Sequence, residues 1–330
     1  MSEQNDGRPV PTYPRVHALP VVSFSGGKDS LCTLIKALEI YGRDGIRVVT
    51  ADTDNENPLT VEYINHTIPE FFGIKIDVVK ADFTAQIARK RVYVETVWPT
   101  KGVPDDIIRS ALATLHPTGN AFLDLCIWKG RFPSRRVQFC TQELKSRPLS
   151  DYLDNVIAST SLHVENWQGV RRDESASRAN ALMWEIGSTK TQAHWIHRPI
   201  IHMSALEVVA FARSRGVPLN PLYALGENRV GCFPCVNCGK AEILNLYHRW
   251  PEVIERMREW ERIVSAASKR GLGTFFFINQ EDGRTDAEHF EANRIDSAVE
   301  WAKTARGGTQ FDLECMIPPA MCSSEYGLCE

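Results

Sequence analysis

Apolar positions alternate between two rhythms along the first part of the chain. Residues 20–24 (PVVSF) form a short continuous apolar run, which predicts a buried strand, and residues 30–41 place Leu31, Leu34, Ile35 and Leu38 on one helical stripe. The strand signal returns at 46–52 (IRVVTAD), the helix signal at 58–72 and the strand signal again at 75–82 (KIDVVKAD). Strands alternating with helices predict an α/β fold, a doubly wound parallel sheet with helices on both faces. Further along, 142–157 predicts a helix, 162–166 a strand, GVRRDES a polar turn and the residues from about 175 a helix. WIHRPI (195–200) predicts a last strand and 204–215 another helix, while 240–270, rich in Arg, Glu and Trp, predicts one or two charged helices. Residues 98–118, bounded by prolines, are expected to form an excursion over the active face. The expected organisation is a tail at 1–18, an α/β domain at 19–228, and a cysteine-rich, helical C-terminal extension at 229–330.

Composition narrows the class. With 330 residues, 43% of them hydrophobic, the chain can bury a sizeable core. No apolar run approaches the roughly 18 residues of a membrane span. The polar opening MSEQNDGRPVPTYPR has no signal-peptide core, so a cytoplasmic protein without a membrane role is expected. A net charge of -3 gives no global attraction to nucleic acid, so any polyanion must meet a local patch. Nine cysteines in a chain of this kind point to metal or redox chemistry rather than to disulfides.

The stretch 21-VVSFSGGKDSLC-32 sets a strand, a Gly-Gly turn and a helix in succession. Glycines let backbone N–H groups approach anion oxygens, and the helix N-terminus adds its dipole. Lys28 supplies a cation; Ser25 and Ser30 supply hydroxyls. The spacing is not that of a Walker A loop.

The hexapeptide 25-SGGKDS-30 matches in full the SGGxDS motif of the PP-loop ATP pyrophosphatases, and the chain resembles that superfamily in its phosphoadenosine phosphosulfate reductase-like branch. The resemblance implies an adenine nucleotide alpha hydrolase-like fold, with an adenine nucleotide held by Ser25, Gly26, Gly27, Lys28, Asp29 and Ser30. Residues 52-DTDNENPLT-60 are similar to the branch's DTGxxxPET, which implies that Asp52 and Thr53 line the base and ribose at a strand's carboxyl end. The segment 139-FCTQELKSRPL-149 places Cys140 and Lys145 where the branch has its C-x-x-x-x-K-x-x-P-L, and 169-GVRRDESASR-178 is similar to its G-x-R-x-x-E-S-x-x-R turn. Gly169 and Arg178 are thereby implied in binding, and Lys28, Asp29, Lys145, Arg171 and Arg172 in catalysis, the arginines reaching phosphate or sulfonate oxygens.

Cys232, Cys235 and Cys238 form Cys-x2-Cys-x2-Cys. Thiolates so close repel unless they share a cation, which predicts a metal or cluster bound by the three with Cys140 as the fourth ligand. Zinc also takes four cysteines. The resemblance of 229-RVGCFPC-235 to the iron-sulfur members implies a 4Fe-4S cluster, with zinc as the alternative. Acids near the loop, foremost Asp29 and then Asp52 and Asp54, are candidates for Mg²⁺. Cys32 and Cys126 read as core residues.

The tail 314-ECMIPPAMCSSEYGLCE-330 lacks the Glu-Cys-Gly-Leu-His of sulfonucleotide reductases, and the roles of Cys315, Cys322 and Cys329 stay open. By contrast, 122-FLDLCIWKGRFPSRRVQFCTQELK-145 resembles the DNA phosphorothioation ATP pyrophosphatases of the DndC and SspD type. That resemblance implies cleavage of ATP to AMP and pyrophosphate and adenylylation of an acceptor for sulfur incorporation. The implied partners are DNA, a cysteine desulfurase and other phosphorothioation proteins. A basic stretch with Lys129, Arg131, Arg135 and Arg136 could meet DNA or simply be solvated. A phosphoadenosine or adenosine phosphosulfate reductase is the alternative enzyme, and a non-catalytic nucleotide-binding regulator the third class.

Overall fold

The computed structural model describes residues 10–12, 15–278 and 285–304. Six strands form one sheet: β1 (Ala18–Ser23), β2 (Arg47–Asp52), β3 (Asp77–Lys80), β4 (His163–Trp167), β5 (Trp184–Ser188) and β6 (Ala193–His197), in the order β3-β2-β1-β4-β6-β5. All neighbours are parallel except β5, which runs antiparallel to β6. The central strand β1 pairs on both sides, with Val21 opposite Arg47 of β2 and Asn166 of β4. From β1 the chain builds outward through β2 and β3, then returns to the other side for β4. That reversal opens a crevice at the carboxyl ends of β1 and β4.

The period-2 rhythm of β1 feeds both faces. Val22 packs with Phe24, Leu31, Leu34, Ile35 and Trp167 beneath helix α1 (Lys28–Tyr41), against which the helix Ala205–Ser214 also lies. Val21 faces the other way and packs with Val49, Val164 and Leu153, the last on the helix Arg147–Ser159. Both faces are covered, as the alternating pattern predicts.

Two expectations are corrected. The residues from about 175 do not form a helix; they make the short 3-10 turns Arg172–Glu174 and Ala176–Arg178 and then strand β5. The apolar residues of ALMWEIG look helical in isolation, but Trp184 and Ile186 alternate along a hairpin closed by the Thr189 N–H donating to the Gln192 carbonyl at 2.9 Å. Residues 98–118 do not cover the carboxyl ends of the sheet. Their helix Asp105–Thr114 packs instead on the helices Thr84–Val97 and Pro251–Ala266, burying Ile108, Ala111 and Leu115.

That packing belongs to a second, larger core shared by residues 83–144 and 233–302. Phe122 stacks on Trp260 with centroids 5.4 Å apart, and Met257, Val264 and Ile295 are buried beside them. Each such side chain contributes about 1.5–3 kcal/mol on burial, so this helical layer fixes where the cysteine segment can lie. Among the described residues, no helix is long and apolar enough to cross a membrane.

Glu261, buried in the helix Pro251–Ala266, accepts from the Phe275 N–H at 2.9 Å and the Ile295 N–H at 3.1 Å, and burial pushes its carboxyl up to about 7. A folded-state value above the unfolded one gives stability that is complete at low pH and lost as pH rises through about 7. Wild type should therefore exceed Glu261→Ala in urea unfolding by about 2–3 kcal/mol more at pH 5 than at pH 8. A difference independent of pH would contradict this.

Candidate functional site

The chain leaves β1 through Phe24, whose N–H donates to the Val49 carbonyl at 2.8 Å, and enters the loop 25–30. Gly26 has φ +76, and a Cβ there would also lie 3.1 Å from Ile64 and Thr60, so conformation and space both require glycine. Gly27 is the N-cap of α1 and provides no side-chain cap. The loop is braced from within. The Ser30 hydroxyl donates to the Gly27 carbonyl at 2.9 Å, accepts from the Ser25 N–H at 3.2 Å, and lies 3.2 Å from the Ser25 hydroxyl. Uncapped amides, two hydroxyls and the dipole of a long helix thus share one turn at the crevice.

Lys28 does not project into solvent. Its side chain is buried, with Nζ 5.5 Å from the Tyr223 ring centroid, 3.5 Å from the Asn228 carbonyl and 3.9 Å from the Asp29 carboxylate. Its backbone N–H donates to the Tyr223 hydroxyl at 2.9 Å. Asp29 receives the Arg171 Nε at 2.5 Å, and the other side of the buried guanidinium pairs with Asp173. Gly169, two residues before Arg171, lies directly on the loop: a Cβ there would meet the Asp29 carbonyl carbon and the Ser30 nitrogen at 2.7 Å. Loop and turn are thereby brought together. Arg172 is directed elsewhere, its Nε donating to the Ala181 carbonyl at 3.0 Å, and Arg178 pairs with Glu174.

The loop after β2 has a different occupation. Asp52 accepts from the Asp54 N–H at 2.9 Å and stands 3.7 Å from Lys80. Asp54, at φ +56, pairs with Lys80 at 2.5 Å and accepts from the Ala121 N–H at 2.7 Å, at the start of the helix Ala121–Lys129. Thr53 donates to Glu56 at 2.6 Å. These acids, like Asp29, face cations or N–H groups within the chain. We derive no step through a protein-held magnesium.

The same loop docks the cysteine segment. Glu56 and Cys232 form an antiparallel bridge, the Phe233 N–H donates to the Asn55 carbonyl at 2.5 Å, and the Asn55 amide donates to the Pro234 carbonyl at 2.9 Å. Cys140 precedes a π-helical turn, Thr141–Ser146, which carries Lys145. The half-buried Lys145 is the cation that acts on Cys232, which holds the ammonium pKa up while Lys145 draws the thiol pKa down, and the Arg229 guanidinium, raised by Cys235 against the effect of burial, lies 3.7 Å from Glu242. Burial pushes the Cys140, Cys232 and Cys238 thiols up, Cys140 also through its neighbours Cys232 and Cys235. Among the described residues, no three Cys, His, Asp or Glu side chains converge closely enough to grip one metal ion. The chemistry of the donor set suits a thiophilic centre: Cys232, Cys235 and Cys238 line one pocket, and Cys140 is influenced by the neighbouring Cys232 and Cys235.

Cys32 and Cys126 are fully buried in apolar cores, and burial pushes the Cys32 thiol up to about 12. The tail cysteines Cys315, Cys322 and Cys329 lie outside the described residues. Three of the four basic residues near 130 have partners within the chain. Lys129 pairs with Glu143 at 3.1 Å, Arg131 lies over Phe139, and Arg135 donates to the Cys238 carbonyl at 2.9 Å. Sequence reasoning missed Tyr223, Asn220, Glu56 and Arg229, whose roles rest on contacts distant in the chain.

The phosphoadenosine phosphosulfate reductase domain model matches residues 19–102 and 126–238, a span that contains the loop, Cys140 and the whole cysteine triplet. An uncharacterized 37.8 kDa protein in the gpa 5'region of Escherichia phage 186 is 41% identical over 326 residues, covering 94% of this chain and 96% of that protein. The adenosine 5'-phosphosulfate reductase of Deinococcus radiodurans is 29% identical over 101 residues, which is 31% of this chain and 36% of that protein. Among solved structures, the phosphoadenylyl-sulfate reductase of Candida auris in its phosphate complex is similar at 14% identity and a TM-score of 0.39, over 68% of this chain and 84% of that one.

The contact at Gly169 makes a direct test of the site's packing. Gly169→Ala should cost about 1–3 kcal/mol in urea unfolding, because backbone must move. Gly231→Ala, which would meet nothing within 4 Å, should stay within about 0.5 kcal/mol of wild type. Equal effects would refute the close approach.

Proposed function

The chain belongs to the phosphoadenosine phosphosulfate reductase domain family, and on that premise we propose that it is a PP-loop ATP pyrophosphatase, cleaving ATP to AMP and pyrophosphate. In this reading it adenylylates an acceptor for sulfur incorporation, with DNA phosphorothioation as the setting and a cysteine desulfurase as the sulfur-supplying partner. The supporting observation is the loop 25–30, where the N-terminus of α1, which Gly27 leaves without a side-chain cap, shares one turn at the crevice with Ser25, Ser30 and Lys28.

ATP enters as its magnesium complex. Its β- and γ-phosphates would accept from the loop amides and the two hydroxyls, and the Lys28 ammonium would exchange the Asn228 carbonyl for a phosphate oxygen. An acceptor oxygen then attacks the α-phosphorus as the bond to the bridging oxygen breaks, and the electron pair leaves with pyrophosphate. Donors already fixed around that oligophosphate offset the charge without reorganising. The terminal sulfur of a cysteine persulfide would then attack the adenylylated centre as AMP leaves with the activated oxygen, and a thiol reductant would cleave the resulting S–S bond to leave sulfur on the acceptor. Arg171, held between Asp29 and Asp173, positions the loop in this scheme rather than contacting substrate freely. Cys140, Cys232, Cys235 and Cys238 would hold a thiophilic centre, a 4Fe-4S cluster or zinc; a cluster would supply electron or sulfur transfer.

A sulfonucleotide reductase is the second reading, favoured by the named function of the Deinococcus relative. It needs a thiol that attacks the sulfonate sulfur, and among the described residues both cysteines outside the cluster set, Cys32 and Cys126, are buried in apolar cores.

With ATP, magnesium, DNA, a cysteine persulfide donor and a thiol reductant, anaerobically purified protein should yield AMP and pyrophosphate in equal amounts, and Lys28→Ala should lower kcat/KM by about 100-fold. Sulfite release from adenosine phosphosulfate and a thiol, with ATP left intact, would instead establish the reductase.

A further inference from the structure

One segment, residues 220–232, touches both chemistries. At its start the Asn220 amide donates to the Gly26 carbonyl and to the Thr60 hydroxyl, each at 3.2 Å. Tyr223 follows on the turn Pro221–Tyr223, its hydroxyl accepting from the Lys28 N–H at 2.9 Å and its ring beneath the Lys28 ammonium. The Asn228 carbonyl receives that ammonium at 3.5 Å, and the Val230 carbonyl lies 3.8 Å from where a Cβ on Gly27 would stand. The second half of the segment faces the sulfurs. Glu227, Arg229 and Gly231 line a pocket with Cys232, Cys235 and Cys238.

The segment is braced along its length. The Leu225 and Glu227 N–H groups both donate to the Leu222 carbonyl, at 3.1 and 3.0 Å, and the Asn245 amide holds Glu227 at 2.7 Å. Tyr223 is buried, so its hydroxyl cannot leave the Lys28 amide without moving the turn that carries it. Asn228 precedes Arg229, which lines one pocket with Cys232, Cys235 and Cys238. A change of partner at Lys28 therefore reaches the cysteine loop through one residue of backbone.

We infer that residues 220–232 transmit occupancy of the phosphate loop to the cysteine loop, with Tyr223 as the positioning residue at the loop end. The inference rests on the nucleotide reading above, because an oligophosphate must compete for the ammonium and the first-turn amide that the segment now engages. A ligand that changes the contacts of one end changes the free energy of the other, and the effect is reciprocal. The sequence separation of 195 between Lys28 and Tyr223 explains why no local pattern announces this link.

Hydrogen exchange read by mass spectrometry on the full chain, with and without saturating ATP, tests the link; calorimetry in the same buffer establishes occupancy. In wild type, ATP should slow exchange across 228–238 by about fivefold or more, as well as across 25–31. In Tyr223→Phe, which keeps the ring and loses the hydroxyl, ATP heat should persist while the response at 228–238 falls below about twofold. ATP binding with protection confined to 25–31 in wild type would overturn the inference, as would an undiminished response in Tyr223→Phe. The wild-type comparison decides by itself if the variant does not fold. No ATP heat in wild type would instead remove the nucleotide reading, and the inference with it.

Discussion

The buried pair between Asp29 and Arg171 is the constraint on which the site depends. It joins the first turn of α1 to the turn after β4, two segments that the sheet brings side by side but does not bond. Taking both charges out of water is costly, and their attraction offsets that cost only with close geometry and further partners. Both conditions are met here: the Nε contact is 2.5 Å, and Asp173 and Lys28 complete the charge pattern. The close approach of Gly169 to the loop backbone is what permits that distance. The pair and the close approach of Gly169 thus brace the first turn of α1 from one side, a partial pre-organisation of the kind electrostatic catalysis uses.

The cysteine segment depends on a second junction, between the β2 loop and residues 232–234. The Phe233 N–H on the Asn55 carbonyl, the Asn55 side-chain amide on the Pro234 carbonyl and the bridge at Glu56 fix the segment at the sheet's carboxyl edge. The Arg256 guanidinium, on the helix Pro251–Ala266, reaches the Phe233 carbonyl and so ties the segment to the larger core. Thus the thiols lie beside the crevice because two cores meet there. The cysteine segment and the loop 25–30 become neighbours through packing rather than through sequence proximity.

The parts legible in the sequence were those governed by local rules. Short apolar runs located β1 and β2, and the 3.6-residue stripe of Leu31, Leu34, Ile35 and Leu38 located α1. The hexapeptide identified the loop because its glycines answer to a backbone need. Residues whose meaning lies in a distant partner were not legible. Tyr223 reads as an ordinary core aromatic until its hydroxyl is found on Lys28, and Glu56 as a loop acid until it is found beneath Cys232. Strand β5 was missed for a related reason: its residues have no strong intrinsic preference, and pairing with β6 decides their state. The arginines of GVRR were expected to reach a ligand, whereas Arg171 is engaged by carboxylates that no spacing rule could have assigned to it.

A double-mutant cycle on Asp29 and Arg171, read as ATP affinity and as unfolding free energy, tests the central pair most directly. Asp29→Asn and Arg171→Gln should each cost about 2–3 kcal/mol in stability by removing the nearest partner of a charge that Asp173 or Lys28 offsets only in part. The double variant should cost at least about 2 kcal/mol less than their sum, with ATP affinity lost in all three. Additive effects within about 0.5 kcal/mol would show that the two groups act independently, and would contradict the account.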